Sequence, residues 1–171
     1  MPCNISSNIA LDCIDGAGSV VRAFILNGPA DSYTESTGNV TAITVGGTAV
    51  GPSDWFTWDV PRQTSSYSEA ANVSVENGTL FYQKDLALFF NKMDAAKRNE
   101  LLLAAQNQDM IVAFEDANGT YWVFGLDKGA FTSAATAATG ATFADRNGYE
   151  ITLSSQEVVP AFTVDSSIIV A

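Results

Sequence analysis

The sequence predicts a mostly β fold: two packed antiparallel sheets, as a sandwich or flattened barrel, with one flanking α-helix. Three observations carry this. Apolar and polar residues alternate over short stretches along most of the chain, the period of half-buried strands. Asn77-Gly78, Asn118-Gly119 and Asn147-Gly148 fall between such stretches and signal turns. One stretch alone, 94–108, has the composition and spacing of an amphipathic helix. The 171 residues suit a single domain over 1–171, with an N-terminal arm, 1–15, and a long loop, 28–52.

The elements follow in order. "GSVVRAFILN" (18–27) is a first strand, with Val20, Arg22, Phe24 and Leu26 on one face and Val21, Ala23 and Ile25 on the other. Asn27-Gly28-Pro29 ends it. Residues 28–52 are rich in Gly, Ser and Thr, and enclose a short strand, "NVTAITV" (39–45). "DWFTWDV" (54–60) is a compact aromatic strand. Residues 63–75 alternate through Tyr67, Glu69, Ala71, Val73 and Val75, and Asn77-Gly78 turns them back into a strand from Thr79 towards Phe90. Leu86, Phe89 and Phe90 also fit a helical face, but the long alternation from Leu80 to Phe90 favours a strand.

The helix comes next. Asp94 is its N-cap, its interior is made of helix formers, and Leu101, Leu102 and Ala105 form its apolar stripe. Glu100 and Lys97 stand at a pairing distance along it. "MIVAFED" (110–116) and "TYWVFGL" (120–126) form a hairpin around Asn118-Gly119. Phe131 starts a short strand, and "GYEITLSSQEVV" (148–159) turns Tyr149, Ile151 and Leu153 inward. The tail, "TVDSSIIVA", adds an edge strand. The total is seven to nine strands and one helix.

Composition narrows the chemistry. Nineteen acidic residues against eight basic ones leave a net charge of −11. Such a chain repels nucleic acid, whose binding depends on Lys and Arg neutralising phosphates. It has no histidine, which removes Ser-His-Asp and Cys-His nucleophiles and His-ligated metals. Cys3 and Cys13 fit no zinc spacing and read as two buried thiols, with a disulfide across the arm as the alternative. The N-terminus lacks a basic segment followed by a long apolar run, so it does not read as a signal peptide. No run reaches the roughly 18–20 apolar residues of a membrane span. Synthesis in a cytoplasm, without membrane insertion, is the expectation.

The remaining signals read as structure. "DGAGS" (15–19) and "GGTAVG" (46–51) lack the Gly-Lys-Ser/Thr of a phosphate loop. "EDANGT" (115–120) and "DRNGYE" (145–150) lack the full ligand set of a calcium loop and read as turns with Asx bonding. Asn4, Asn39, Asn72, Asn77 and Asn118 begin N-x-S/T triplets, read as turn and strand positions rather than glycan sites. Acidic neighbours such as Asp12 with Asp15, or Glu115 with Asp116, arise by chance among nineteen acids. No catalytic residue, metal site or cofactor is expected. Trp55, Trp58 and Trp122 admit a different class, a carbohydrate-binding β module.

Three stretches carry a family resemblance. They are "ALDCIDGAGSVVRAFILN"; the order "NGTLFYQKDLALFFNKM", helix, "MIVAFEDANGTYWVFGLDKGAF"; and the ending "TGATFADRNGYEITLSSQEVVPA". Together, over about 10–27 and 77–162, they resemble the tail tube (major tail) proteins of tailed bacteriophages, particularly those infecting Bacteroidetes. The resemblance implies a virion structural protein without enzymatic activity. It implies hexameric rings stacked into a tube, with other tail proteins as further partners. DNA would pass along the bore without tight binding. It implies inter-ring contacts through the arm 1–15 and the segment 28–52, and a channel wall whose acids keep DNA mobile. Glu69, Glu76 and Asp85, on the hairpin expected to face the lumen, are the candidates. Tail terminators, hub or neck rings and capsid decoration proteins share the composition.

Overall fold

A computed structural model describes residues 5, 7–11 and 13–170; Cys3, Asn4 and Asp12 lie outside the described residues. The chain forms two sheets. The strands are β1 (Val20–Asn27), β2 (Ser32–Ser36), β3 (Asn39–Val45), β4 (Thr48–Ala49), β5 (Phe56–Asp59), β6 (Ser66–Ser74) and β7 (Thr79–Asn91). After the helix α1 (Ala95–Gln106) come β8 (Met110–Asp116), β9 (Tyr121–Phe124), β10 (Phe131–Ala138), β11 (Gly148–Glu157) and β12 (Phe162–Val164), then a short helix α2 (Ser166–Ile169). The larger sheet runs β2-β3-β12-β9-β8-β1-β5, with β4 added to β3. The smaller runs β10-β11-β7-β6. The mostly β, two-sheet architecture with one main helix is as expected.

Alternation builds the interior. From β7, Leu86, Leu88 and Phe90 point at the larger sheet, as do Ile151 and Leu153 from β11. They meet Ala23, Ile25, Met110, Val112, Phe114 and Phe124 from the larger sheet, forming the core between the layers. The larger sheet also buries its other face. Phe24, Leu26, Ile111, Ala113 and Val123 pack there against Val40, Ile43, Trp55, Ile168 and Ile169. A sheet buried on both faces needs runs of apolar residues rather than strict alternation, and β1 and β8 supply them.

Several expectations need correction. In β1, a register shift between Val20 and Arg22 reverses the phase, so Val20 joins Ala23 and Ile25 in the inter-sheet core rather than Phe24 and Leu26. Segment 28–52 is not a long loop: β2 and β3 form a hairpin, β4 adds to it, and a 3-10 turn at Pro52–Asp54 leads into β5. Its Ser and Thr residues, apart from half-buried Thr44, occupy exposed positions, where polar side chains suit a solvated face. The tail does not make an edge strand. β12 inserts between β3 and β9, parallel to β3, because burying Val164, Ile168 and Ile169 carries the tail onto the larger sheet. That parallel pair breaks the otherwise antiparallel scheme. Twelve strands, not seven to nine, and two helices form among the described residues.

The helix is also packed differently. Asp94 caps it as expected, accepting from the Lys97 N–H at 2.8 Å. The Lys97 ammonium then pairs with Asp94 at 2.9 Å and donates to the carbonyls of Asn91 and Lys92, so it is committed away from Glu100. Ala104 is the buried residue, whereas Leu102 and Leu103 are 45% and 58% exposed. The Thr132 hydroxyl donates to the Ala104 carbonyl, so β10 approaches the helix where its side chain is smallest.

Two turns differ in type. Asn77-Gly78 sits in a four-residue link, 75–78, closed by Ser74 opposite Thr79. Gly148 already belongs to β11, opposite Asn91, and the link from β10 spans 139–147. A side chain at Gly148 would collide with the Phe90 carbonyl, so this glycine serves close strand approach.

Candidate functional site

The outer face of the four-stranded sheet is a continuous surface built by register. β7 lies inside the sheet, paired with β6 on one flank and β11 on the other. Because Leu86, Leu88 and Phe90 point inward, Phe81, Gln83, Asp85, Ala87 and Phe89 point outward. Their partners on β6 are Asn72, Ala70, Ser68 and Ser66, and on β11 Gln156, Ser154, Thr152 and Glu150. The face is therefore mostly small and polar.

Its side chains bond to one another. Asp85 accepts from the Ser154 hydroxyl and from Gln83 Nε2 at 3.0 Å. Ser133 Oγ lies 2.7 Å from Ser154 Oγ, and Gln156 Nε2 donates to Gln83 Oε1 at 2.7 Å. The outward charges on these β7 and β11 positions are Asp85 and Glu150. A cation stands beside them: the Arg146 guanidinium covers the Phe89 ring at 4.4 Å from its centre. The sheet ends in β10 on one side and β6 on the other, and among the described residues each has one flank free of a strand.

The three acids read as a set do not share this face. Asp85 lies on it. Glu69 points the other way: it stands opposite Lys84, and its carboxylate accepts from the Tyr67 hydroxyl at 2.9 Å and the Ala161 N–H at 2.8 Å. Glu76 is exposed at the tip of the β6–β7 hairpin. Burial first, then Glu69, raises Tyr67 well above the ordinary tyrosine range.

The sequence reading passed over a buried pair beneath the sheet. Lys84 is 0% exposed and pairs with Glu157, itself 3% exposed. Glu157 also accepts from the Gly125 N–H at 3.2 Å and the Asp127 N–H at 2.8 Å. Burial pushes the Glu157 carboxyl up, but the Lys84 hydrogen bond and charge, with these two N–H groups, bring it below the usual range. Asp127 extends the network by accepting from the Tyr33 hydroxyl at 3.0 Å. The signal was present: Lys84 falls in phase with Leu80, Tyr82, Leu86 and Leu88, where a lone ammonium would be costly without a partner.

Comparison with protein-family models, curated proteins and solved structures found no match for this chain.

The tryptophans form no shared platform. Trp55 is buried on the far face of the larger sheet and donates to the Ile168 carbonyl at 3.0 Å. Trp58 and Trp122 both face the inter-sheet core, at the ends of a row through Ala23 and Phe114. Trp58 stands edge-on to Phe90, and Trp122 donates to Asp116 at 3.2 Å.

The acidic turns are internally bonded. Asp116 accepts from the N–H groups of Asn118 and Thr120 at 2.8 and 2.9 Å. Glu115 pairs with Arg22 at 2.7 Å. Asp145 accepts from Ala141 and Thr142, and these bonds hold its carboxyl below the ordinary range. Among the described residues, no three His, Cys, Asp or Glu side chains converge as a metal site, and no helix is long and apolar enough to cross a membrane. Cys13 is exposed on the arm rather than buried, since the described arm residues up to Gly18 are all exposed.

Proposed function

We propose that this chain is a structural subunit that assembles with copies of itself, and that the assembly is the tail tube of a bacteriophage, made of stacked hexameric rings around a DNA channel. The outer face of the four-stranded sheet carries the reading. It is a broad, mostly small and polar surface, interrupted by Phe81 and Phe89 and flanked by two open strand edges. Edges β10 and β6 are antiparallel ladders awaiting partners, and a neighbour's β6 against β10 would extend the sheet around an axis. Six such sheets form a wall whose inner surface is this outer face.

The charge balance suits that wall. Asp85 and Glu150 stand on the face, and Arg146 is engaged with Phe89. Phosphates passing such a wall find no row of free cations to hold them. Salt limits the repulsion to roughly 8–10 Å, so acids on this face matter more than the rest of the net charge. Glu76 at the hairpin tip lies near one rim of the wall. Glu69, exposed on the opposite face of β6, takes no part in it.

Electron microscopy of the purified protein tests the reading. Hollow tubes or stacked rings of uniform diameter are the expected result. A protein that stays monomeric at high concentration, or that binds glycans as a monomer, would replace this reading with a binding module.

A further inference from the structure

Two unpartnered surfaces of the chain match each other. The first is the arm. Ile5, Ile9, Leu11 and Ile14 are 96%, 99%, 101% and 107% exposed, so their side chains lie bare of their own subunit. The arm is fastened to the body at Ala17, whose N–H donates to Asn118 Oδ1 at 2.7 Å and whose carbonyl accepts from Asn118 Nδ2 at 3.1 Å. Along it, Ile9, Leu11 and Cys13 alternate with Asn8, Ala10 and Asp12, the period of a strand with one apolar face.

The second surface is a groove between α1 and β5. β5 ends the larger sheet, paired with β1 on one flank and, among the described residues, open on the other. Ile25, Phe56 and Trp58 line one wall of a 570 Å³ groove, and Leu103 and Ala104 line the other. The groove continues past Trp58 towards Ala96 and Leu101. Phe56 and Leu103 are 57% and 58% exposed, apolar surface left uncovered on both walls.

The geometry points to the arm of a second copy as the occupant of this groove, residues 9–13 adding a strand to the open flank of β5 with Ile9, Leu11 and Cys13 turned onto Phe56, Trp58 and Leu103. The dimensions agree. α1 spans roughly 18 Å, and five extended residues span roughly 17 Å. Main-chain bonds to β5 supply affinity, and alternate side chains in the groove supply register. The arm leaves the body near the Val20 end of β1, whereas the wider part of the groove lies beside Asn27 at its other end. A second copy donating its arm gives a head-to-tail contact that repeats from subunit to subunit. The inference rests on the self-assembly part of the proposed function and not on what the assembly conducts.

The full-length chain tests it. One Cys3→Ser copy keeps Cys13 and carries a tag; the other carries Cys3→Ser, Cys13→Ser and Leu103→Cys. Oxidising the mixture should join tagged to untagged copies, and Leu102→Cys, on the same helix but outside the groove, should give about tenfold less product. Ile9→Asp with Leu11→Asp, and separately Phe56→Asp, should each weaken self-association by about tenfold or more in sedimentation, with unchanged circular dichroism. Equal joining at Leu102→Cys, or unchanged association after the arm substitutions, overturns the inference. In a single Cys3→Ser, Leu103→Cys chain, joining within one molecule alone also overturns it. Arm-dependent association without hollow tubes leaves it standing and removes the channel reading instead.

Discussion

Lys84 and Glu157 are buried against each other between the two sheets, joining β7 to the end of β11. Glu157 also receives the N–H groups of Gly125 and Asp127 from the link after β9, so this carboxylate ties the smaller sheet to the larger. Lys84→Met leaves that charge without its cation, and breaking a buried pair from one side costs about 3–5 kcal/mol. Lys84→Met with Glu157→Gln keeps an acceptor for the N–H groups and should recover much of the loss. Denaturant midpoints of the two variants check this, with no recovery in the double variant contradicting it.

The same pair gives an acid limb. The Glu157 carboxyl is lower in the folded chain than in the unfolded one, so its stabilisation is full above the ordinary carboxylate range and is lost as pH falls through the folded value. Unfolding midpoints should therefore decline below about pH 4.3. The decline should be shallower in the Lys84→Met, Glu157→Gln variant, whose buried site has no carboxyl to protonate.

At alkaline pH the tyrosines take over. Burial, then the hydrogen bond to Asp127, raises Tyr33 to about 12, and Tyr67 is raised further. Both favour the neutral form in the fold, so their contribution is complete below about pH 10 and drains away as pH rises towards the folded values. Ultraviolet titration of Tyr33→Phe should lose absorbance gained near pH 12. Loss of an earlier portion of the curve would mean that Tyr33 is solvated.

Glycine at 125 is a steric requirement. Its φ is +82°, and an added Cβ would lie 2.7 Å from the Met110 carbonyl oxygen. Gly125→Ala should lower Tm by roughly 4–10 °C. Gly47→Ala, at φ +74° with open space around it, isolates the backbone strain and should lower Tm less. Equal losses would assign the whole effect to φ.

Opposite faces separate the channel candidates. Under the proposed tube function, with Asp85 on the outer face and Glu69 bonded to Tyr67 and Ala161, Asp85→Lys with Glu150→Lys should make tubes retain DNA in a salt-dependent way. Glu69→Lys should leave DNA passage unchanged and lower stability. Retention caused by Glu69→Lys, or none from the first pair, would place the bore on another surface.

Local pattern made β1, β7, β8, β11 and the capped helix legible: alternation in β7 and β11, short apolar runs in β1 and β8, and a cap beside the helix. The sequence also held an unused clue about the acids. A two-residue Asn77-Gly78 turn would set Glu76 opposite Thr79, and the observed link sets Ser74 there; partner numbers add to an odd total either way, so two odd-numbered residues on opposite strands face opposite ways. Glu69 and Asp85 are such a pair.

By itself the sequence determined the β character, the strand faces away from bulges, the anionic surface and the exclusion of histidine chemistry, because these depend on composition and short spacing. Tertiary structure alone decided the remainder. It set β12 between β3 and β9, brought Glu157 to Lys84, and placed Leu103 across a groove from Phe56. Each of those joins segments far apart in the chain, and such contacts form where total burial of apolar surface is best satisfied, which no local pattern encodes.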